Sequence, residues 1–285
     1  MRTGRLRIAL TSAIAALTST AAVLTAGAPA GAASRWAPVE EARITPGVQM
    51  LTGGSQCTGN FVFTDARQRV YVGYAAHCAG LGGASETDGC QASSLPLGAR
   101  VDFVSGAGLL TGGVRAGRGR LAYSSWLAMQ RVQETDPDAC AFNDFALVRV
   151  GRAHVSKVNP SVPFFGGPTG LDRDGLTAGE RVFSYGSSSL RQGSLLSPKR
   201  GSALGDEGGG WSHPVYTLSP GIPGDSGSGF LSRGGSAVGT LSTLSLLPRP
   251  LSNGVSDLRR ELAYARVHSG IPRLRLVRGT EPFTG

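Results

Sequence analysis

The stretch Pro223-Gly224-Asp225-Ser226-Gly227-Ser228-Gly229 places Ser226 among small residues in a glycine-rich turn. A nucleophilic serine needs such neighbours, because a substrate carbonyl must reach its hydroxyl and backbone N–H groups must converge on the developing oxyanion. Glycine also permits the backbone conformations that a tight turn requires. The same composition is typical of an ordinary surface turn, so this stretch alone leaves both interpretations open.

A general base for such a serine stands in Tyr74-Ala75-Ala76-His77-Cys78. His77 follows a run of small residues and adjoins a cysteine, and a bridge from Cys78 to Cys57 would fix the backbone beside the imidazole. The other histidines lack such a context and are interpreted as surface or packing residues; they are His154, His213 and His268. His77 is therefore the candidate base.

An acid that could orient the imidazole stands in Asn143-Asp144-Phe145-Ala146-Leu147-Val148, at the head of an apolar strand. A buried carboxylate is costly unless it is paired, so pairing Asp144 with a histidine N–H would serve both structure and chemistry. Asp102, within Val101-Asp102-Phe103, looks similar, but no long apolar run follows it. We therefore expect Asp144 to be the orienting acid.

The three motifs, in the order His, Asp, Ser, resemble the signatures of the chymotrypsin/trypsin-like serine peptidases: Ala-Ala-His77-Cys, Asn-Asp144-Phe-Ala-Leu and Gly-Asp-Ser226-Gly. The resemblance extends from about Ile44 to the C-terminal segment. It implies an all-β fold of two six-stranded antiparallel β-barrels with the active site between them. His77 and Asp144 would come from the first barrel and Ser226 from the second. The implied activity is that of a secreted serine endopeptidase.

The resemblance also implies a role for each residue. Ser226 would attack the scissile carbonyl, His77 would carry the proton, and Asp144 would hold the imidazole in one tautomer. The backbone N–H groups of Gly224 and Ser226 would form the oxyanion hole. Asp225 would be a buried structural acid, paired with a cation that orders the oxyanion loop.

In animal members of this family that cation is a newly cut N-terminus, and Arg43-Ile44-Thr45-Pro46-Gly47 resembles the cleavage site. The short spacing from Ile44 to Cys57 is closer to secreted bacterial members such as the streptogrisins. Those commonly pair the acid with an arginine and carry long folding pro-segments, and residues 34–43 are too short for such a segment. Processing of a zymogen after Arg43 is therefore a hypothesis.

Four residues are expected at the specificity pocket: Pro220, Ser242, Thr243 and Leu244. Pro220 occupies the position that often forms the pocket floor, where an acid would select Arg or Lys. Leu244 replaces the usual glycine of the pocket wall and would narrow the pocket. The resemblance therefore implies a medium apolar or small residue before the cleaved bond.

The chain has four cysteines, which in an exported protein indicate disulfides and allow three pairings. With Cys57 bonded to Cys78, the second bridge joins Cys90 to Cys140. Metal binding is the alternative, but no Cys-x-x-Cys or His-x-x-x-His spacing supports a zinc site. We therefore expect no metal and no cofactor.

Short β-branched runs alternate with glycine-rich turns along most of the chain, a pattern typical of a barrel or sandwich. The Pro/Gly-rich stretch 159–170 is the expected boundary between a first barrel over residues 44–160 and a second over residues 161–285.

One segment departs from this pattern. Three apolar residues, Leu258, Leu262 and Ala265, fall on one helical face, and Ser256 is the candidate N-cap. The segment predicts a single C-terminal helix over residues 256–268.

The first residues have the three zones of a secretory signal peptide. Basic residues open it, an apolar run follows from Ile8, and small residues in Ala-x-Ala spacing end it near Ala33. Residues 1–33 are therefore predicted to be removed on export, leaving residues 34–43 as a short pro-segment or N-terminal extension. An uncleaved membrane anchor is the alternative, but the run is only weakly apolar.

The formal net charge is +9, and a basic surface can attract nucleic acid. The arginines are dispersed with little aromatic interleaving, however, which indicates ordinary solvated charge. We expect a secreted, extracellular monomer that acts on a peptide or protein substrate, with no nucleic-acid or membrane partner.

Two other functions fit the sequence less well. Gly-Asp-Ser also opens the motif of the GDSL/SGNH esterases, but Ser226 lies late in the chain and no histidine has an aspartate three residues before it. A catalytically silent, protease-like binding module would be favoured by a missing triad residue, and none is missing.

Overall fold

The computed structural model describes Met1 and residues 35–82, 87–191, 195–244 and 250–285. Except for Met1, the predicted signal peptide therefore lies outside the described residues. The described chain is mostly β, as expected. Its strands are β1 Gln49–Thr52, β2 Ser55–Thr58, β3 Val62–Thr64, β4 Val70–Tyr74, β5 Arg100–Ser105, β6 Val114–Ser124, β7 Ala146–Val150, β8 Arg181–Tyr185, β9 Pro198–Ala203, β10 Ser212–Thr217, β11 Gly229–Ser232, β12 Ala237–Leu244, β13 Asn253–Asp257 and β14 Arg275–Leu276. Its α-helices are α1 Ser125–Val132, α2 Pro137–Phe142 and α3 Leu258–His268.

The first half of the chain, together with β14, forms an antiparallel sheet in the order β14-β3-β4-β7-β6-β5-β1-β2. Its two ends are joined by the bend between β2 and β3: the N–H of Gly59 donates to Val48 O at 2.8 Å, and that of Asn60 donates to Gly73 O at 2.8 Å. The sheet therefore curls back on itself. It has eight strands instead of six because this bend divides one strand into β2 and β3, and because β14 adds at the edge.

The second half forms a closed barrel of six strands in the order β10-β13-β12-β11-β8-β9, as expected. Alternate residues of these strands point inward and form one buried apolar cluster. It contains Val182, Ala203, Val215, Phe230, Val238, Leu241 and Val255, and Leu176 from the segment before β8 packs with them.

Two short helices, α1 and α2, were not predicted. They connect β6 to β7, and the start of α2 has a local cause. Pro137 stands at its first position, where a missing N–H is tolerated, and the side chain of Asp136 accepts from the N–H of Asp138 at 3.0 Å. The helices bring the chain to Asp144 immediately before β7.

The predicted C-terminal helix is present, but it begins two residues later than expected. Ser256 is paired with Thr240 and Ser212 within the second barrel and is not the N-cap. Asp257 caps the helix, and its side chain accepts from the N–H of Arg260 at 2.8 Å. The predicted face of Leu258, Leu262 and Ala265 is buried, as expected.

Both ends of the described chain bind to the segment around residues 157–167. The N–H groups of Ala37 and Arg43 donate to Val158 O and Lys157 O, each at 2.9 Å, so the N-terminal extension is fixed along this segment. At the other end, the N–H of Thr284 donates to Phe165 O at 2.8 Å, and β14 pairs with β3 of the first sheet. The division of the chain at residues 160 and 161 stays a prediction.

Both expected disulfides are formed, Cys57 to Cys78 and Cys90 to Cys140. Their pairing ties the start of the first sheet to the turn after β4, and the loop before β5 to α2. Within the described residues, none of the helices has the length and apolar character that a bilayer span needs.

His213 is buried in β10 between two carboxylates. Its Nδ1 lies 2.7 Å from Asp206 Oδ1, and its Nε2 lies 3.0 Å from Oδ2 of Asp257, which caps α3. Both carboxylates accept hydrogen bonds, so the ring binds them best as an imidazolium. Burial lowers the pKa of His213, but the hydrogen bonds and charges of Asp257 and Asp206 outweigh it and raise that pKa above its ordinary value.

His213 therefore makes stability depend on pH. Because its pKa is raised in the folded state, its contribution is complete below the unfolded pKa and is lost as pH rises through the folded pKa. We expect His213→Gln to lower the free energy of unfolding in urea. The difference from wild type should be largest about two pH units below the ordinary histidine pKa of about 6.5. The difference should shrink as pH rises. His154→Gln serves as the control, and a pH-independent difference at His213 would contradict the assignment.

Candidate active site

His77 lies in a short 3₁₀ turn, Ala76–Ala79, that follows β4. The small residues before it, Ala75 and Ala76, are fully buried and allow the turn to pack closely. One imidazole nitrogen lies within 4.8 Å of the sulfurs of Cys57 and Cys78, which are bonded to each other. The disulfide therefore anchors the turn directly beside the ring.

Asp144 lies between α2 and β7 and binds His77 twice. Its Oδ1 accepts from the backbone N–H of His77 at 2.8 Å, and its Oδ2 lies 2.6 Å from the ring Nδ1. The double contact fixes the ring orientation and the tautomer in which Nδ1 carries the proton. Nε2 is then the nitrogen that can accept a proton.

The charges of this pair reinforce each other. Burial raises the pKa of Asp144, but the charge and hydrogen bonds of His77 outweigh it, and the pKa falls below its ordinary value. Burial lowers the pKa of His77, but the Asp144 carboxylate outweighs it and raises that pKa. The pair is therefore poised to hold a proton on the imidazole next to an ionised aspartate.

A third contact comes from Ser242 of β12, whose hydroxyl donates to Asp144 Oδ2 at 2.6 Å. From the sequence, Ser242 was expected only at the specificity pocket. In the structure its hydroxyl is directed to Asp144, and it is one of the groups that hold the carboxylate. Sequence reasoning missed this role because the two residues lie on different halves of the chain.

Ser226 is partly exposed on the loop before β11, and this loop packs against the first sheet. Its carbonyl accepts from the N–H of Thr58 at 2.8 Å. Gly227 has φ +87°, and a Cβ there would lie 2.5 Å from Thr58 O and 2.9 Å from Ala75 N. Only glycine allows this approach, which brings the loop of Ser226 against the strand end that leads into His77.

The loop leaves two N–H groups unused. Those of Asp225, Gly227 and Ser228 donate to backbone carbonyls. Those of Gly224 and Ser226 donate to no acceptor within the described ranges. Gly224 has φ +96°, and its carbonyl is held by the Thr58 hydroxyl at 2.7 Å. Two free N–H groups on a fixed loop can bind an oxygen that acquires negative charge.

Asp225 is fully buried and binds two cations that the sequence analysis did not identify. Lys199 Nζ lies 2.7 Å from its Oδ2, and the guanidinium of Arg191 binds the same oxygen. Burial raises the pKa of Asp225, but the hydrogen bonds of Arg191 and the charge of Lys199 outweigh it and lower the pKa. Burial lowers the pKa of Lys199, although Asp225 opposes this. The acid next to Ser226 thus has its partners within the uncut chain.

The segment around Arg43 lies in a different environment. Ile44 is fully buried, and its N–H donates to Lys157 O at 3.1 Å. Asn159 N–H donates in turn to Ile44 O at 3.0 Å. The Arg43–Ile44 bond is therefore part of a formed hydrogen-bond ladder.

The residues expected at the specificity pocket lie at the ends of two segments. Pro220 precedes the loop of Ser226, and its carbonyl accepts from Arg191 Nη2 at 2.8 Å. Thr243 and Leu244 are exposed at the end of β12. A residue not predicted, Asn253 of β13, is buried opposite Leu244 and accepts from the N–H of Gly221 at 3.1 Å.

No family model matches the sequence, and no curated protein matches it either. Solved structures do. Protease A of Thermobifida fusca is 17% identical, and the match covers 84% of this chain and 100% of that one at a TM-score of 0.50. The chain has the chymotrypsin-like serine protease fold. A Nocardiopsis protease (18% identity, 82% and 98% covered, TM-score 0.45) and a Cellulomonas bogoriensis chymotrypsin (19%, 82% and 98%, 0.42) also match.

Within this chymotrypsin-like fold, the buried ion pairs of Asp225 with Arg191 and Lys199 should contribute measurably to stability. Removing one partner of a buried ion pair destabilises a protein by about 3–5 kcal/mol, because it leaves an uncompensated buried charge. We expect Asp225→Asn to lower the free energy of unfolding by about that amount in urea titrations.

Asp102 offers a matched control, since it is also an aspartate bound by arginines. Its side chain is 23% exposed, and Arg100 Nη2 lies 2.9 Å from it. Exposed pairs contribute only about 0–1 kcal/mol, so Asp102→Asn should change stability little. Equal effects of the two substitutions would contradict the role given to Asp225.

Proposed function

We propose that this protein is a secreted serine endopeptidase that hydrolyses peptide bonds through an acyl-enzyme. The observation that carries the proposal is the pair of hydrogen bonds between Asp144 and His77, with Ser226 on the loop packed against the same strand end. The chymotrypsin-like fold adds support, since proteins that share it include proteases.

In the proposed reaction, Ser226 Oγ attacks the scissile carbonyl carbon while His77 Nε2 takes the hydroxyl proton. The carbonyl oxygen becomes an oxyanion, which the N–H groups of Gly224 and Ser226 bind. His77 then gives the proton to the leaving amine as the C–N bond breaks. Water then attacks the ester carbonyl while His77 accepts its proton, and His77 returns that proton to Ser226 Oγ as the bond between the carbonyl carbon and Oγ breaks. Asp144 stays ionised and stabilises the imidazolium throughout.

The proposed preference at the cleaved bond follows from the pocket residues. Pro220 brings no charge to the floor, and the nearby carboxylate of Asp225 is already bound by Arg191 and Lys199. A basic substrate side chain would therefore find no free partner there. We propose that the pocket accepts a medium apolar or small side chain.

The activity is tested with a fluorophosphonate probe, which reacts only with an activated serine. We expect the adduct at Ser226 by mass spectrometry, no labelling of Ser226→Ala, and peptide turnover lowered by about four to six orders of magnitude in either Ser226→Ala or His77→Gln. Ser228→Ala is the matched control and should be labelled like wild type. A folded wild-type protein that is not labelled would favour a binding module over a protease.

We also propose that the exported protein needs no cleavage after Arg43. Asp225 has two cationic partners without a new N-terminus, and the Arg43–Ile44 bond is held in a ladder with Lys157. N-terminal sequencing of the active protein should therefore begin near Ser34 or Arg35, and Arg43→Gln should be labelled as fast as Arg35→Gln. A sequence beginning at Ile44, with Arg43→Gln inactive, would support zymogen processing instead.

A further inference from the structure

Glu261 is a buried acid that the proposed reaction does not use. It lies in the first turn of α3 with an exposed fraction of 0%. Its Oε2 accepts from the hydroxyl of Thr240 at 2.9 Å, and that hydroxyl accepts from Asn60 Nδ2 at 3.2 Å. Asn60 belongs to the bend of the first sheet and Thr240 to the second barrel. Glu261 therefore ends a hydrogen-bond chain that crosses from one half of the molecule to the other.

Three consecutive residues of β12 connect this chain to the proposed triad. Thr240 donates to Glu261, Leu241 O accepts from the N–H of Gly227 at 2.7 Å, and Ser242 donates to Asp144 at 2.6 Å. Because the residues are adjacent, a shift of Thr240 along the strand would move the contacts of both Ser226's loop and Asp144.

The surroundings of the Glu261 carboxyl group favour its neutral form. Burial and the negative charges of Asp144 and Asp257 raise its pKa well above the ordinary value. Its Oε1 has no hydrogen-bond partner within the described part of the chain, which a buried carboxylate would tolerate poorly. Asp144, by contrast, accepts three hydrogen bonds from His77 and Ser242. Of these two acids, Asp144 is therefore the one whose surroundings favour the negatively charged carboxylate.

We propose that Glu261 is a positioning residue for the His77–Asp144 pair, which fixes β12 through its hydrogen bond with Thr240. This inference rests on the proposed function, since it assigns a role within that same site. Glu261 touches no substrate atom and acts through Thr240 and, two residues further along β12, Ser242, which binds Asp144. The role depends on the shape of the side chain and on its hydrogen bond, not on its charge. Glutamine at this position should therefore preserve the role.

The experiment compares Glu261→Met with Glu261→Gln, and uses two readouts. One is the titration of His77 followed by NMR with labelled histidine, and the other is the rate of fluorophosphonate labelling. We expect Glu261→Met to slow labelling by about 10- to 100-fold, the size of effect that small misplacements near a reaction centre produce. It should also lower the pKa of His77, which the Asp144 carboxylate holds above its ordinary value. Glu261→Gln should restore both readouts.

Leu262→Ala is the matched control for a purely structural effect, since Leu262 is equally buried in the same helix. It should lower the melting temperature and leave the His77 titration unchanged. If Glu261→Met does not fold, Thr240→Val removes the hydroxyl instead and should act in the same direction.

Two results would overturn the proposal. One is a His77 titration and labelling rate unchanged in Glu261→Met or, if that variant does not fold, in Thr240→Val. The other is a His77 pKa lowered as much by Glu261→Gln as by Glu261→Met, which would mean that Glu261 acts through a charge. The NMR titration needs no turnover. If wild type is not labelled at all, the proposed function fails while the titration still decides the role of Glu261.

Discussion

The carboxylate of Asp144 accepts hydrogen bonds from both halves of the molecule at the same time. His77 of the first sheet binds both oxygens, and Ser242 of the second barrel binds one of them. A buried carboxylate requires such partners to stay ionised. The two halves can therefore satisfy Asp144 only in one relative arrangement, and the packing of the glycine-rich loop against Thr58 and Ala75 depends on that same arrangement.

The acid beside Ser226 shows the same principle with a different solution. Asp225 has lost all contact with solvent, and the protein supplies two cations from outside its own loop, Arg191 and Lys199. Arg191 also binds the Ser219 hydroxyl and the Pro220 carbonyl, each at 2.8 Å. One guanidinium thus fixes both the acid and the backbone before the loop. The loop that carries Ser226 is held by the ion pairs of Asp225 and by backbone hydrogen bonds.

The sequence was most informative where chemistry fixes neighbouring residues. The small residues around Ser226, the cysteine beside His77 and the apolar strand after Asp144 are local patterns, and the fold and both disulfides could be predicted from them. Arg191, Lys199 and Glu261 have no such signal, because they meet their partners only when the barrel closes. The start of α3 was predicted too early because Ser256 is a good N-cap residue whose backbone is already taken by strand pairing.

The position of β14 has a consequence for the order in which the molecule is completed during synthesis. Arg275 and Leu276 pair with Thr64 and Phe63 of β3, and the N–H of Thr284 donates to Phe165 O at 2.8 Å. The edge of the first sheet is therefore finished by residues that are synthesised after the strands of the second barrel. If the N-terminal half folds as it emerges, the edge of β3 stays uncovered until β14 has been made. Strand β14 covers that edge only after the second barrel has been made.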